Sequence, residues 1–149
     1  MFLGEYNCSI DTKNRMAIPS VIRKTIEGEG DDPTLYISKG FEQCLYLYPK
    51  KQFDEMVVDK LKSLPGTSQK VRSFKRLLFS RYNALDGWDK QGRIVVPQNQ
   101  KEYAGLGKDV IVIGAMDLIE IWDVEHWKRF NKDNEDKLVE LSEEITLMQ

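Results

Sequence analysis

The sequence predicts an α+β fold, mainly β, in which one supersecondary unit occurs twice. Three observations carry that expectation. The stretch Asp11-Thr12-Lys13-Asn14-Arg15-Met16-Ala17-Ile18-Pro19 recurs 78 residues later as Asp89-Lys90-Gln91-Gly92-Arg93-Ile94-Val95-Val96-Pro97, both reading Asp-x-x-x-Arg, three apolar residues and Pro. Short apolar runs bounded by polar turns flank each copy, as strands do. Apolar residues at helical spacing follow. A repeat of this kind implies a functional surface that also occurs twice.

Taken in order, Tyr6 to Ile10 and Arg15 to Ile18 read as a β-hairpin closed by the polar turn Asp11 to Asn14. The second copy places Gly92 in that turn, where a positive φ costs least, and the first places Asn14, the next most tolerant type. Pro19 and Pro97 then stand where a strand ends and a short helix can begin. A second strand pair follows in each copy, Leu35–Ile37 with Leu45–Tyr48 and Val110–Ile113 with Leu118–Trp122. Phe53, Met56, Val57, Leu61 and Leu64 give the next segment one apolar helical face.

The matches outside the motif shift in spacing. Tyr6-Asn7 reappears 76 residues on as Tyr82-Asn83, and Leu45–Pro49 matches Ile119–Asp123 at 74, with Phe53 and Trp127 following at equal distance. The first copy therefore carries about four extra residues, placed by composition in the loop Glu27–Pro33. We expect four regions: a first repeat over 1–64 (core about 5–52), a connecting basic amphipathic helix over 65–80, a second repeat over 81–132 (core about 81–124), and an acidic helix or tail over 133–149.

In the connector, Val71, Phe74, Leu78 and Tyr82 share one helical face and Arg72, Lys75 and Arg76 form a basic stripe beside it. From Lys70 to Arg93 there are seven Lys or Arg against two Asp; beyond Phe130 there are six Asp or Glu against two Lys. The net charge of −2 thus hides separate blocks, and an anionic partner responds to the local patch. The stripe either meets an acidic surface of another subunit, extends a nucleic-acid face, or is a solvated helix side.

At 149 residues and 41% apolar, the chain can bury roughly 70% of its unfolded surface. No apolar run approaches the ~20 residues of a membrane span, and the start of the chain lacks the pattern of a secretory signal. Cys8 and Cys44 have no counterparts in the other copy, which fits buried free thiols in a reducing compartment. Little in the sequence resembles an enzyme. His126 is the only histidine, no His/Cys cluster has metal-ligand spacing, and no glycine pattern matches a phosphate-binding loop. We therefore expect no catalytic residue, no metal and no cofactor. Asp11 and Asp89 each precede an Arg by four residues across a turn, and a carboxylate bridged to a guanidinium is a poor proton carrier.

The motif suits a polyanion instead. Lys13, Asn14 and Arg15, with Lys90, Gln91 and Arg93, put cations and amides at two related turns. Arg offers a fork for phosphate or guanine, and Asn and Gln can read adenine. The alternative at equal weight is structural: Asp11, Pro19, Asp89, Gly92 and Pro97 shape the turn, Asp-x-x-x-Arg closes it as a salt bridge, and the lysines are merely solvated.

The doubled Asp-x-x-x-Arg-(apolar)3-Pro, the Met1-Phe2-x-Gly4 start, Arg76-Leu77-Leu78 and Ile121-Trp122 together resemble the MraZ family of bacterial transcription regulators, within the SpoVT/AbrB-like superfamily. The likeness covers nearly the whole chain and departs from the pattern at Asn14, where Gly is expected. It implies two tandem swapped-hairpin half-barrels forming a pseudo-twofold double-split β-barrel, with flanking amphipathic helices. It further implies a cytoplasmic, nucleoid-associated ring homo-oligomer on double-stranded promoter DNA. Such a protein binds repeated short G-rich boxes, usually as a repressor of its own division and cell-wall gene cluster, with the motif arginine (Arg15, and Arg93 by symmetry) important for that binding. An antitoxin-type DNA-binding protein and a ring-forming scaffold without nucleic acid are the two other readings.

Overall fold

Each repeat lends its strands to the other. In the computed structural model, which describes residues 1–148, β1 (Glu5–Ser9), β2 (Arg15–Ala17), β3 (Leu35–Lys39) and β4 (Leu45–Pro49) come from the first copy. The second supplies β5 (Tyr82–Leu85), β6 (Arg93–Val95), β7 (Asp109–Ala115) and β8 (Leu118–Asp123). An open antiparallel sheet has the order β1-β7-β8-β4-β3-β5, and β2 pairs with β6 in a separate two-stranded ribbon. The order maps onto itself when the two copies are exchanged. Tyr6 pairs with Val112, and Tyr82 pairs with Ser38, equivalent positions in the two copies.

The predicted hairpin is corrected by this arrangement. Its turn forms, but β1 and β2 meet only at the bridge between Ile10 and Met16 before diverging into different sheets. The physical reason is packing: paired with the opposite copy, β2 seats Met16 in the main core and β1 lays Tyr6 and Cys8 against it. The local pairs β3–β4 and β7–β8 form as expected.

The helices hold more residues than the strands. They are α1 (Ser20–Glu27), α2 (Lys50–Phe53), α3 (Asp59–Lys62), α4 (Gln69–Phe79), α5 (Gln98–Ala104), α6 (Val124–Asn134) and α7 (Leu138–Leu147). A π-helical turn, Asp54–Val58, joins α2 to α3. Pro19 and Pro97 are the N-caps of α1 and α5, where a missing N–H costs nothing. The expected connector helix is shorter than its apolar periodicity: α4 ends at Phe79, and Tyr82 opens β5. Tyr82 still joins the same apolar cluster, with its ring 5.2 Å from Phe53. Leu64 lies beyond the end of α3 and is exposed.

The main core lies between sheet and ribbon. Strand alternation sends Met16, Ile18, Ile94 and Val96 inward and leaves Ala17 and Val95 exposed. Each inward side chain contributes roughly 1.5–3 kcal/mol, which holds the ribbon on the core. Trp122 is buried, and Trp88 packs against the main core. Trp127 stacks on Phe130 and donates its indole N–H to Glu5 (2.8 Å), tying α6 to β1. Cys44 is buried and Cys8 half-buried, both free, with their thiols pushed up by burial. No helix is long and apolar enough to cross a membrane among the described residues.

Candidate nucleic-acid interface

The two motif turns have one geometry built twice. In the first, Asp11 Oδ1 accepts from the backbone N–H of Lys13 and of Arg15 (2.9 Å each), and Arg15 Nε donates to Asp11 Oδ2 at 2.7 Å. In the second, Asp89 Oδ1 accepts from Gln91 and Arg93 N–H (2.9 Å each), and Arg93 Nε donates to Asp89 Oδ2 at 2.9 Å. An aspartate is the side chain that does this, because its carboxylate reaches the N–H groups two and four residues on. Both aspartates are held below the ordinary carboxylate range, first by the arginine backbone N–H and then by its guanidinium. The turn closes through a left-handed residue, Asn14 at φ 61° and Gly92 at φ 76°.

Each guanidinium spends its Nε on the aspartate of its own turn. Among the described residues neither pair of Nη groups has a hydrogen-bond acceptor. The salt bridge therefore orients the arginine as well as closing the loop. Arg15 and Arg93 side chains remain 32% and 27% exposed.

The ribbon brings the two arginines together. Arg15 pairs with Val95 and Arg93 with Ala17, so all four side chains leave the same, outer face. Strand rise and spacing put the two arginine Cα atoms roughly 8 Å apart. Both line one shallow cleft with Trp88, Asp89 and Val95. Lys13, Lys90 and Gln91 are exposed at the turns.

Two residues missed by the motif reading complete the surface. The Arg23 guanidinium lies against Gly92: a Cβ there would come within 2.7 Å of it. Arg23 Nε is anchored on the Ile18 carbonyl at 2.9 Å. At the equivalent place, Lys101 Nζ donates to Asn14 Oδ1 at 3.1 Å. Asn14 Nδ2 in turn donates to Gln98 Oε1 at 2.8 Å. Both ends of the Asn14 amide are thus engaged within the chain. Arg23 and Lys101 each stand four residues after a motif proline, and that shared offset was the signal available in the sequence.

A duplicated α+β chain that presents two aspartate-oriented arginines on the outer face of one β-ribbon is the class defined by fold and site. By sequence, the chain belongs to the MraZ family. The family described as "MraZ protein, putative antitoxin-like" matches residues 1–77 and 87–148. A relative from Clostridium acetobutylicum, "Transcriptional regulator MraZ", is 44% identical over 136 residues, 91% of each chain. Proteins of the same name from Syntrophomonas wolfei and Frankia alni are 41% and 38% identical over 145 residues, each covering 97% of this chain and 96% of the relative.

Proposed function

We propose that this protein is a sequence-specific DNA-binding transcriptional regulator whose reading surface is the outer face of the β2–β6 ribbon. One observation carries the reading: a two-stranded ribbon, the width that a major groove admits, bears on its outer face two partly exposed arginines held to their turns through Nε. A guanidinium fork suits the O6 and N7 of guanine, in keeping with short G-rich boxes. Lys13, Lys90, Arg23 and Lys101 surround it with charge for phosphates, while Asp11 and Asp89 are already bonded to the arginines. The names of the relatives support the regulatory role.

In this reading the interleaved strands are the two halves of a swapped-hairpin, double-split barrel. The chain works as a ring homo-oligomer on repeated promoter boxes, as a nucleoid-associated repressor of its own division and cell-wall gene cluster. Tethering several weak contacts raises avidity without any new contact. A second reading, an antitoxin-type DNA-binding protein, is favoured by the family description; it shares the ribbon surface and differs in needing a toxin partner.

The test is a salt titration of binding to the DNA upstream of the gene, against a non-specific duplex. Preference for the upstream DNA, with affinity falling steeply as salt rises, supports the reading. No preference and no salt slope would reject it and leave an assembly scaffold. A toxin partner encoded beside the gene would favour the second reading.

A further inference from the structure

Two helices of this chain end with their apolar faces uncovered, and their charges are opposite. On α4, no residue is buried and Phe74 and Leu77 are 47% and 69% exposed. The helix carries Lys70, Arg72, Lys75 and Arg76 and not one acidic residue. On α7, no residue is buried either. Leu138, Leu141, Ile145 and Met148 fall along one stripe at spacings of three, four and three. All four are exposed, Glu144 borders the stripe, and no basic residue occurs between 138 and 148.

Beside α4 lies a groove of about 230 Å³. Phe74 and Leu78 of α4, Tyr48, Tyr82, Lys39 and Lys60 are among the residues lining it. The groove is apolar inside with Lys39 and Lys60 in its lining; the α7 stripe is apolar with Glu144 beside it. An amphipathic helix seats in such a groove through side chains at these spacings. We infer that the groove beside α4 receives helix α7 of a second copy of this chain. Leu141 and Ile145 fill it, and Glu144 beside them faces Lys60 and the α4 cations that border the groove, Lys70 and Lys75. The inference deepens the proposed self-assembly, and rests on it, by naming the two surfaces that meet. The contact is heterologous, because groove and helix are different patches. It therefore propagates from copy to copy until a ring closes.

Two exposed positions test it, one on each surface: Phe74→Glu in the groove and Leu141→Glu on α7. Analytical ultracentrifugation of the full-length chains is the readout, with circular dichroism to check that each variant is folded. The wild type is expected to assemble and each variant to sediment as a single chain. An equimolar mixture of the two should form a two-chain species, since one partner keeps a sound groove and the other a sound helix. A single-chain wild type, or either variant assembling like wild type, or a mixture that stays dissociated, would overturn the inference. DNA takes no part in this readout. Retention of single-box DNA binding by the dissociated variants, or its absence, reports separately on the proposed function.

Discussion

Lys101 Nζ lies 3.1 Å from Asn14 Oδ1, in the place that the Arg23 guanidinium occupies against Gly92 in the other half. The two pairs are a spatial exchange: a turn with a side chain faces a slim ammonium, and a turn without one faces a broad guanidinium. The departure at Asn14 thus has its compensation in the opposite repeat. The exchange makes the halves unequal, because the Lys101 charge is partly committed to Asn14 while the Arg23 Nη groups have no acceptor among the described residues.

The exchange predicts coupling. Gly92→Asn alone should lose about 1 kcal/mol or more, from the left-handed backbone and the displaced arginine. Adding Arg23→Lys should return at least ~0.5 kcal/mol, read as urea midpoints in a double-mutant cycle. Strict additivity of the two changes would contradict the exchange.

Arg15→Ala and Arg93→Ala should each weaken binding to the upstream DNA by about 10- to 100-fold, the worth of one forked contact to a guanine. Affinity for non-specific duplex should fall far less. Fluorescence anisotropy at fixed salt is sufficient, and equal losses on both duplexes would reduce the arginines to phosphate contacts.

Asp11 and Asp89 set part of the acid response. Their folded values are depressed, so the stability they supply is present above the ordinary unfolded value near 3.9 and is lost as pH falls through the folded values. Asp11→Asn with Asp89→Asn should therefore flatten the decline of urea stability on acidification below about pH 4. An unchanged slope would show that the turns contribute nothing to it.

Glu120 has the opposite sign. Burial raises its carboxyl, opposed by the Trp122 indole N–H that donates to it at 2.8 Å. A raised folded value gives stability that is complete below the unfolded value and is lost as pH rises through the folded one. Glu120→Gln, which keeps the acceptor for Trp122, should raise the urea midpoint at pH 7 and show no gain below about pH 4. A destabilised variant at pH 7 would mean that the charge itself is used.

Gln100 is fully buried, and its Nε2 faces the Ile37 carbonyl (3.2 Å), the Arg81 carbonyl (3.1 Å) and Asn83 Oδ1 (3.0 Å). It pins α5 to β3 and β5. Gln100→Leu keeps the volume but strands those acceptors, and should cost about 1–3 kcal/mol in chemical denaturation. A neutral result would place water on the acceptors.

How far the sequence could be read depended on distance along the chain. The turns were legible because their bonds run between residues two to four apart, and β3–β4 and β7–β8 because each partner is the next strand. The pairing of β1 with β7 and β2 with β6 was not. Alternation in Arg15 to Ile18 reports which side chains face inward but carries no information about the partner strand. Tyr82 fits the helical face of the connector, four residues after Leu78, and also matches Tyr6 of the first strand; its pairing with Ser38 decides for the strand. The roles of Arg23 and Lys101 were hidden by the same exchange, since each serves the turn of the other repeat.

The pairing of Glu5 with Ile113 has a consequence during synthesis. At ribosomal rates of about 5–20 residues per second, β1 waits on the order of 5–20 s before its neighbour has even been made. Through that interval β1 and β2 must both do without the strands that flank them in the finished sheet and ribbon. The polar spacing of Glu5, Asn7 and Ser9 along β1 then protects a nascent chain, keeping an unpaired edge soluble until the far end of the message has been read.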